Sequence, residues 1–315
     1  MTPPPQIPRR GPFPGFAQLR SGCWGGRATF LASVAFSLSL SIGYARSSVP
    51  ETAAVTASPF SYADVADLAS HAEIVAVARP RSLARVDPKI MPSPLGMQRF
   101  YVDTQVDSLI RGEAGLPSRV AFLLDLPEGT KPSVMKGKSL ILFGRPGTRP
   151  GEIQLLSSTA VLPWSQGTEA RARSITAELL AQDAPPEITR VVEAFHVEGT
   201  VAGESETQIF LATRGGQPVS LSVVRRPDME PRFGAALGEI VDEAANLPAP
   251  DTLLWYRLAC GRPPALPMSA AMKLDGSGAQ AAAADYRSFM ERLAPCARTR
   301  VPAPGPKLGN GGTGG

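Results

Sequence analysis

Residues 99–112, RFYVDTQVDSLIRG, decide the fold class because their side chains alternate in polarity. The even-numbered residues from 100 to 106 are apolar or threonine, while the odd-numbered residues from 101 to 107 include two aspartates and a glutamine. A period of two is typical of a strand with one buried face and one wet face. The stretch therefore predicts a half-buried β-strand.

Four neighbouring segments have a similar composition and are separated by glycine and proline. They are EIVAVARPRSLARV (73–86), SRVAFLLDL (118–126), KSLILFG (138–144) and EIQLLSS (152–158). Each is rich in β-branched or aromatic residues, as strands are. Five short strands need a closed or nearly closed sheet to hide their edges. We therefore expect a small, OB-like β-barrel over residues 61–165, preceded by a short helix that Ser61 caps.

The order of these segments resembles the OB-like, netrin-type barrels of exported bacterial proteins. The resemblance covers residues 72–158 and rests on hydrophobic spacing together with Gly112, Lys138 and Phe143. The cysteines that many netrin-type domains carry are missing here. The whole chain also resembles uncharacterised exported proteins of bacteria, a family that implies no activity. What the likeness implies is a barrel, a fold type whose faces commonly bind ligands.

A second domain is predicted after a linker helix over residues 166–186. The segment 168–182 has apolar residues at helical spacing, and Pro185-Pro186 ends it. Residues 187–300 then read as a three-stranded antiparallel meander covered by helices over 234–246, over 251–260 and over 281–296. The predicted fold class is therefore α+β. Residues 301–315 have the composition of a disordered tail.

Strand register in the meander follows from its apolar positions. Most odd-numbered residues in 191–201, 207–213 and 219–223 are apolar, so odd residues are expected to face odd residues. A three-residue loop at 203–205 gives that register. It places Glu204 and Ser205 on the turn and turns Glu206 to solvent.

The same register leaves His196, Glu198, Glu204 and Glu206 as a surface group on the hairpin. His196 lies two residues from Glu198 on the polar strand face, but it is well separated from Glu206. A solvated hairpin offers no environment that sets one carboxyl group apart from another. We therefore predict a hairpin tip rather than a catalytic His–Glu–Ser arrangement.

Export is predicted from the first 45 residues. They hold four arginines and no acid, which equals the formal charge of +4 of the whole chain. The apolar run 28–42 is shorter than the roughly 20 residues of a membrane span, and small residues precede a cleavage point after Ala45. We read 1–45 as a signal peptide and 46–60 as a linker. An uncleaved N-terminal anchor is the alternative.

The remainder of the chain is charge-balanced, which argues against nucleic acid as a partner. Arginine outnumbers lysine 26 to 6, which indicates a GC-rich genome and hence a bacterium. The predicted location is therefore periplasmic or secreted. After processing, no stable transmembrane segment is expected.

Cysteine usage predicts one disulfide. Cys23 precedes the signal core and leaves with it, so the exported chain keeps the pair Cys260 and Cys296. An oxidising compartment favours a bond between them, especially if the helices that they end pack side by side. A metal-binding or redox-active thiol pair is the rival interpretation, but no C-x-x-C spacing supports it.

Few catalytic signatures occur. The chain has two histidines and contains no G-x-S-x-G or H-E-x-x-H motif, and no G-x-G-x-x-G motif before the glycine-rich tail 301–315. We therefore predict no catalytic, cofactor-binding or metal-binding residue, and no cofactor. The expected function is a non-enzymatic binding module of the bacterial cell envelope, with an envelope protein or a small ligand as its partner. The alternative is a hydrolase that uses the hairpin carboxylates.

Overall fold

The computed structural model describes residues 57–113, 116–239, 245–261, 263 and 265–300. The predicted signal peptide, most of the linker 46–60 and the predicted tail 301–315 lie outside these ranges. Within them, no helix combines the length and the apolar character that crossing a membrane requires.

The first part of the described chain is one helix and a six-stranded antiparallel sheet. Its elements are α1 Tyr62–Ala69, β1 Ile74–Arg85, β2 Met97–Arg111, β3 Arg119–Pro127, β4 Leu140–Pro146, β5 Ile153–Leu155 and β6 Val161–Pro163. The strand order is β3-β2-β1-β4-β5, and β6 also pairs with β4. The Ala121 N–H donates to the carbonyl of Gly151 at 2.8 Å, which links β3 to the segment before β5. The sheet is therefore a nearly closed barrel, as predicted.

Strand β2 has the alternation that its sequence predicts. Phe100, Val102 and Thr104 are fully buried, whereas Tyr101 between them is partly exposed. Ser61 caps α1, because its hydroxyl accepts from Asp64 N–H and the Asp64 carboxylate accepts from Ser61 N–H. Such a reciprocal box fixes the start of a helix.

The second part of the chain is an antiparallel sheet with helices. Its elements are α2 Gln166–Leu180, β7 Ile188–Glu198, β8 Ser205–Thr213, β9 Val219–Arg225, β10 Arg232–Ala236, α3 Leu253–Ala259 and α4 Gly276–Arg292. The strand order is β10-β9-β8-β7. The fold class is α+β, a small barrel followed by a meander, with one strand more than the three expected.

The additional strand corrects the helix predicted over 234–246. Residues 232–236 pair with β9 along their whole length, so backbone hydrogen bonds to a sheet replace the predicted helical ones. Phe233 and Ala235 pack against the core at a period of two. Residues 240–244 of that predicted helix lie outside the described residues.

The other two helix starts also differ from their predictions. Thr252 caps α3, whereas the predicted cap Asp251 has a φ of 60° and lies just outside the helix. Helix α4 begins at Gly276 rather than at 281, because the Asp275 carboxylate accepts from the backbone of Gly278. The cap decides the start although the residues that follow it are glycines and a serine.

One apolar cluster includes residues from both sheets. Val75 of β1 and Phe143 of β4 belong to it together with Ile175 of α2, Leu211 of β8 and Phe289 of α4. A second cluster, around Phe100 and Phe122, lies on the opposite face of the first sheet. Helices therefore cover the inner face of the meander, and their apolar contacts continue to the first sheet.

The predicted disulfide between Cys260 and Cys296 is confirmed. Their Cα atoms lie 5.2 Å apart, and the bond joins the end of α3 to the segment that follows α4. The chain then continues to α1, where Thr299 and Arg300 donate hydrogen bonds to Asp64, and Arg298 pairs with Asp67. The disulfide is thus followed along the chain by hydrogen bonds and an ion pair that attach residues 298–300 to α1.

Candidate functional site

A cleft of about 610 Å³ lies at the end of the second sheet, between the β7–β8 hairpin and helix α4. Its walls are residues 198–205, the side chain of Arg225 from β9, and the α4 residues Ala281, Ala284 and Asp285. His196 also contributes to its lining. The volume is within the range usual for small-molecule sites.

The register of β7 brings His196 into this cleft and corrects the sequence prediction. Val191 lies opposite Leu211, as predicted, but a bulge-like shift between Val191 and Glu193 changes the pairing so that His196 lies opposite Thr207. The prediction that odd residues of β7 face odd residues of β8 is therefore wrong from Glu193 onward, although it holds between β8 and β9. A bulge adds one residue to one strand and so reverses the faces of all that follow.

Exposure follows the new register. The side chain of His196 is only 6% exposed, so it is not a surface histidine. Phe195 and Val197, which were expected in the core, are 43% and 66% exposed. Each β7 residue beyond the bulges is therefore on the face opposite to the one predicted.

A buried hydrogen-bond network holds the imidazole of His196. The hydroxyl of Thr207 lies 2.8 Å from His196 Nδ1 and donates to Asp285 Oδ2 at 2.5 Å. The Asp285 side chain is 3% exposed, and its Oδ2 lies 3.9 Å from Nδ1. The network thus connects two strands of the sheet to helix α4.

Asp285 is also paired with a cation. Arg225 donates from Nε to Asp285 Oδ1 at 2.7 Å, and its Nη2 lies 2.6 Å from the same oxygen. The guanidinium is 36% exposed and faces the cleft. A buried carboxylate is tolerated when it is paired and hydrogen-bonded, and both oxygens of Asp285 are.

The network fixes the tautomer of a neutral His196. The Thr207 hydroxyl has one proton, and its short bond to Asp285 uses that proton. Thr207 must therefore accept from the ring, so Nδ1 carries the proton and Nε2 has a lone pair. Within the described part of the chain, Nε2 has no hydrogen-bond partner, and the ring lines the cleft.

A further carboxylate lies near the ring. Asp275 caps α4, and the N–H of Gly278 and the hydroxyl of Ser277 lower its pKa. His196 lies close enough to add to that effect. Among the described residues, the charged side chains that line the cleft with His196 are Arg225, Asp285, Glu198 and Glu204.

The structure separates the predicted group of His196, Glu198, Glu204 and Glu206. Glu198 is two residues after His196 on β7, so both side chains point to the cleft side of the sheet. Glu204 borders the mouth of the cleft, but its carboxylate packs on Gly199. Glu206 lies on the opposite face, where it accepts from Gln208.

The predicted three-residue loop at 203–205 is also wrong. The Gly199 N–H donates to the Glu204 carbonyl at 2.8 Å, so the turn consists of residues 200–203. Ser205 is the first residue of β8, directly opposite Glu198, and it lines the cleft. The sequence therefore identified the correct hairpin, but it predicted Ser205 in the turn rather than in β8.

Sequence reasoning missed Thr207, Arg225 and Asp285. Thr207 lies at an inward position of β8, where a polar residue among apolar ones is a signal for a buried partner. Asp285 has a similar signal, because it lies beside Tyr286 within the apolar stripe of α4. Neither signal identifies the partner across 78 residues of sequence.

Other polar clusters are closed on themselves. A second cavity of about 640 Å³ beside the barrel contains Arg99 and Asp125, which bind each other through two parallel hydrogen bonds of 2.8 and 2.9 Å. Among the residues that the structure describes, no three metal-ligating side chains of His, Cys, Asp or Glu come together. In contrast to this pair, the His196 ring has a nitrogen, Nε2, without a hydrogen-bond partner among the described residues.

Comparison with protein-family models gives no match, and no curated protein matches the sequence either. The fold and the site define the chain as an α+β protein with a barrel-like sheet, a disulfide and a polar cleft in its second sheet.

Proposed function

We propose that this chain is an exported, non-enzymatic binding module of the bacterial cell envelope, and that it binds a small ligand in the His196 cleft. The observation that supports this is the buried imidazole, fixed by Thr207 and Asp285, which lines the cleft and whose Nε2 has no hydrogen-bond partner among the described residues. Ordering a buried polar network costs desolvation and conformational freedom, and apolar packing at the same place would avoid that cost.

Location supports the same proposal. The Cys260–Cys296 bond is of the kind that persists in oxidising compartments, and the leader 1–45 has the pattern of a secretory signal. A periplasmic or secreted protein meets small molecules of the envelope directly. The proposed location is therefore consistent with a cleft of ligand size.

Equilibrium dialysis tests the proposal. The purified chain is dialysed against the small-molecule fraction of an envelope extract, and mass spectrometry identifies the compounds that it retains. We expect a compound that wild type and His71→Ala retain and that His196→Ala does not. His71 is the matched control, because it is the other histidine and is exposed. A retained set that is the same for all three proteins contradicts binding in the cleft.

A second candidate function is hydrolysis. Ser205 and His196 lie on the same face of neighbouring strands, and a neutral imidazole with a free Nε2 is suited to act as a base. Within the described residues, no hydrogen bond joins the Ser205 hydroxyl to His196, so binding is the better-supported function. A fluorophosphonate probe separates the two. A mass increase that Ser205→Ala abolishes favours the hydrolase.

A further inference from the structure

The wall of the cleft that β7 and β8 form is rich in hydrogen-bond acceptors. His196 Nε2 has a lone pair there when the ring is neutral, and the Glu198 carboxylate follows on the same strand face. Ser205, opposite Glu198, adds a hydroxyl. Three acceptors close together match the three N–H donors of a primary ammonium group.

The position of these residues suits one bridging group. His196 and Glu198 are two residues apart on β7, so their side chains lie on the same face of the sheet, and both residues line the cleft. A ligand nitrogen with several N–H donors that lies between the two side chains can donate to both.

The charge of the cleft favours a cation as well. Arg225 is neutralised by Asp285, which leaves the carboxylates of Glu198 and Glu204 in the lining of the cleft. These acids together give the site a negative potential. No group of three metal-ligating side chains occurs among the described residues, so the acceptors suit an ammonium better than a transition-metal ion.

We infer that the ligand of the His196 cleft carries a primary ammonium group, bound between His196 Nε2 and the carboxylate of Glu198. This inference rests on the proposed function, since it names the chemical class of the ligand for the same cleft. A free alkylamine and the side chain of a lysine both present this group.

Nitrogen-15 NMR of the imidazoles measures the contact directly. The chain has two histidines, so His196 and His71 give separate signals, and His71 is the internal control. The probe is n-butylammonium at pH 8, where an ordinary imidazole is neutral and the amine is charged. Tetramethylammonium tests charge without N–H donors, and butyrate tests an anion. A lysine derivative blocked at both backbone ends tests the peptide source.

We expect n-butylammonium to move the His196 Nε2 signal in a saturable way and to leave His71 unchanged. Tetramethylammonium is expected to bind at least tenfold more weakly, and butyrate not at all. Glu198→Gln removes one charge-assisted acceptor and is expected to weaken binding about tenfold. Glu206→Gln, the matched control on the outer face of β8, is expected to bind like wild type. Glu198 is exposed, so its variant should fold.

Three outcomes overturn the inference. They are a His196 signal that butyrate moves, equal binding of both ammonium ions, and no movement with any probe. The dialysis experiment then separates the two proposals. A retained compound without an amine refutes the ligand class but leaves the proposed binding function intact. If the chain retains no compound and no probe moves the His196 signal, both proposals are refuted.

Discussion

The hydroxyl of Thr207 on β8 donates a 2.5 Å hydrogen bond to Asp285 on α4, 78 residues further along the chain. This contact attaches the last helix to the sheet by a polar bond within a mostly apolar interface. Because the same hydroxyl lies 2.8 Å from His196, one threonine connects the helix to the ring that lines the cleft.

Removing the charge of Asp285 should destabilise the protein. Asp285→Asn leaves Arg225 without its carboxylate partner and replaces one acceptor of the network by an amide. Since Arg225 is partly exposed, we expect a loss of about 2 kcal/mol in the free energy of unfolding, measured by urea titration. Asp107→Asn, which breaks an exposed pair with Arg79, should cost less than about 1 kcal/mol. Equal losses would contradict the structural role of Asp285.

The tautomer of His196 should depend on Thr207. We expect the long-range nitrogen-15 spectrum at pH 8 to show the proton on Nδ1 of His196 in wild type. Thr207→Val keeps the branched shape but removes the hydroxyl, so the preference for Nδ1 should disappear. The His71 signals should be the same in both proteins, since His71 bonds the Asp67 carbonyl instead. A wild-type ring protonated on Nε2 would refute the network.

Asp64 should make the fold sensitive to acid. Burial raises its pKa, but hydrogen bonds from Thr299, Arg300 and Ser61 outweigh burial and lower it. A lowered folded pKa stabilises the protein above the ordinary aspartate value of about 3.9, and this contribution is lost as the pH falls through the folded pKa. Asp64→Asn should therefore cost about 1.5 kcal/mol at pH 7 and much less at pH 2 to 3.

Urea titrations at both pH values measure that difference. Asp183→Asn is the control, because Asp183 is exposed beyond the end of α2. It should have little effect at either pH. A cost of Asp64→Asn that is the same at pH 7 and at pH 2 to 3 would show that the contacts do not depend on the carboxylate charge.

The disulfide should contribute strongly to stability. It closes a loop with a sequence separation of 36, for which the chain-entropy relation gives about 4 kcal/mol. A double change of Cys260 and Cys296 to serine should lower the midpoint of urea unfolding accordingly. Thiol titration of denatured, unreduced full-length chain should find one free thiol, that of Cys23. Three free thiols would contradict the bond.

Gly144 should be essential to barrel closure. A Cβ at this position would lie 2.5 Å from Ile153 Cγ2 and 2.6 Å from the carbonyl oxygen of Gln154, where the neighbouring strand leaves no room. Gly144→Ala should therefore cost about 2 kcal/mol in the free energy of unfolding. Gly276→Ala, at an open helical position, should be neutral or slightly stabilising. Thermal unfolding of both variants provides the comparison.

Local sequence patterns were enough to predict the barrel, the meander and the disulfide. Alternation of polarity in residues 99–112 is a local pattern, and a pleated strand converts it directly into a buried and an exposed face. The pairing of Cys260 with Cys296 followed from their being the two cysteines left once Cys23 is removed. The Ser61 cap of α1 is equally local. Such features need no knowledge of distant contacts.

The site depends on contacts between segments that are distant in sequence. An irregularity between Val191 and Glu193 shifts the pairing of β7, and such a shift depends on the neighbouring strand rather than on the apolar pattern. It turns His196 inward, where Asp285 meets it from a helix distant in sequence. A one-residue change in register reverses every side chain that follows it, so a single bulge converts a predicted surface histidine into the buried residue of a cleft.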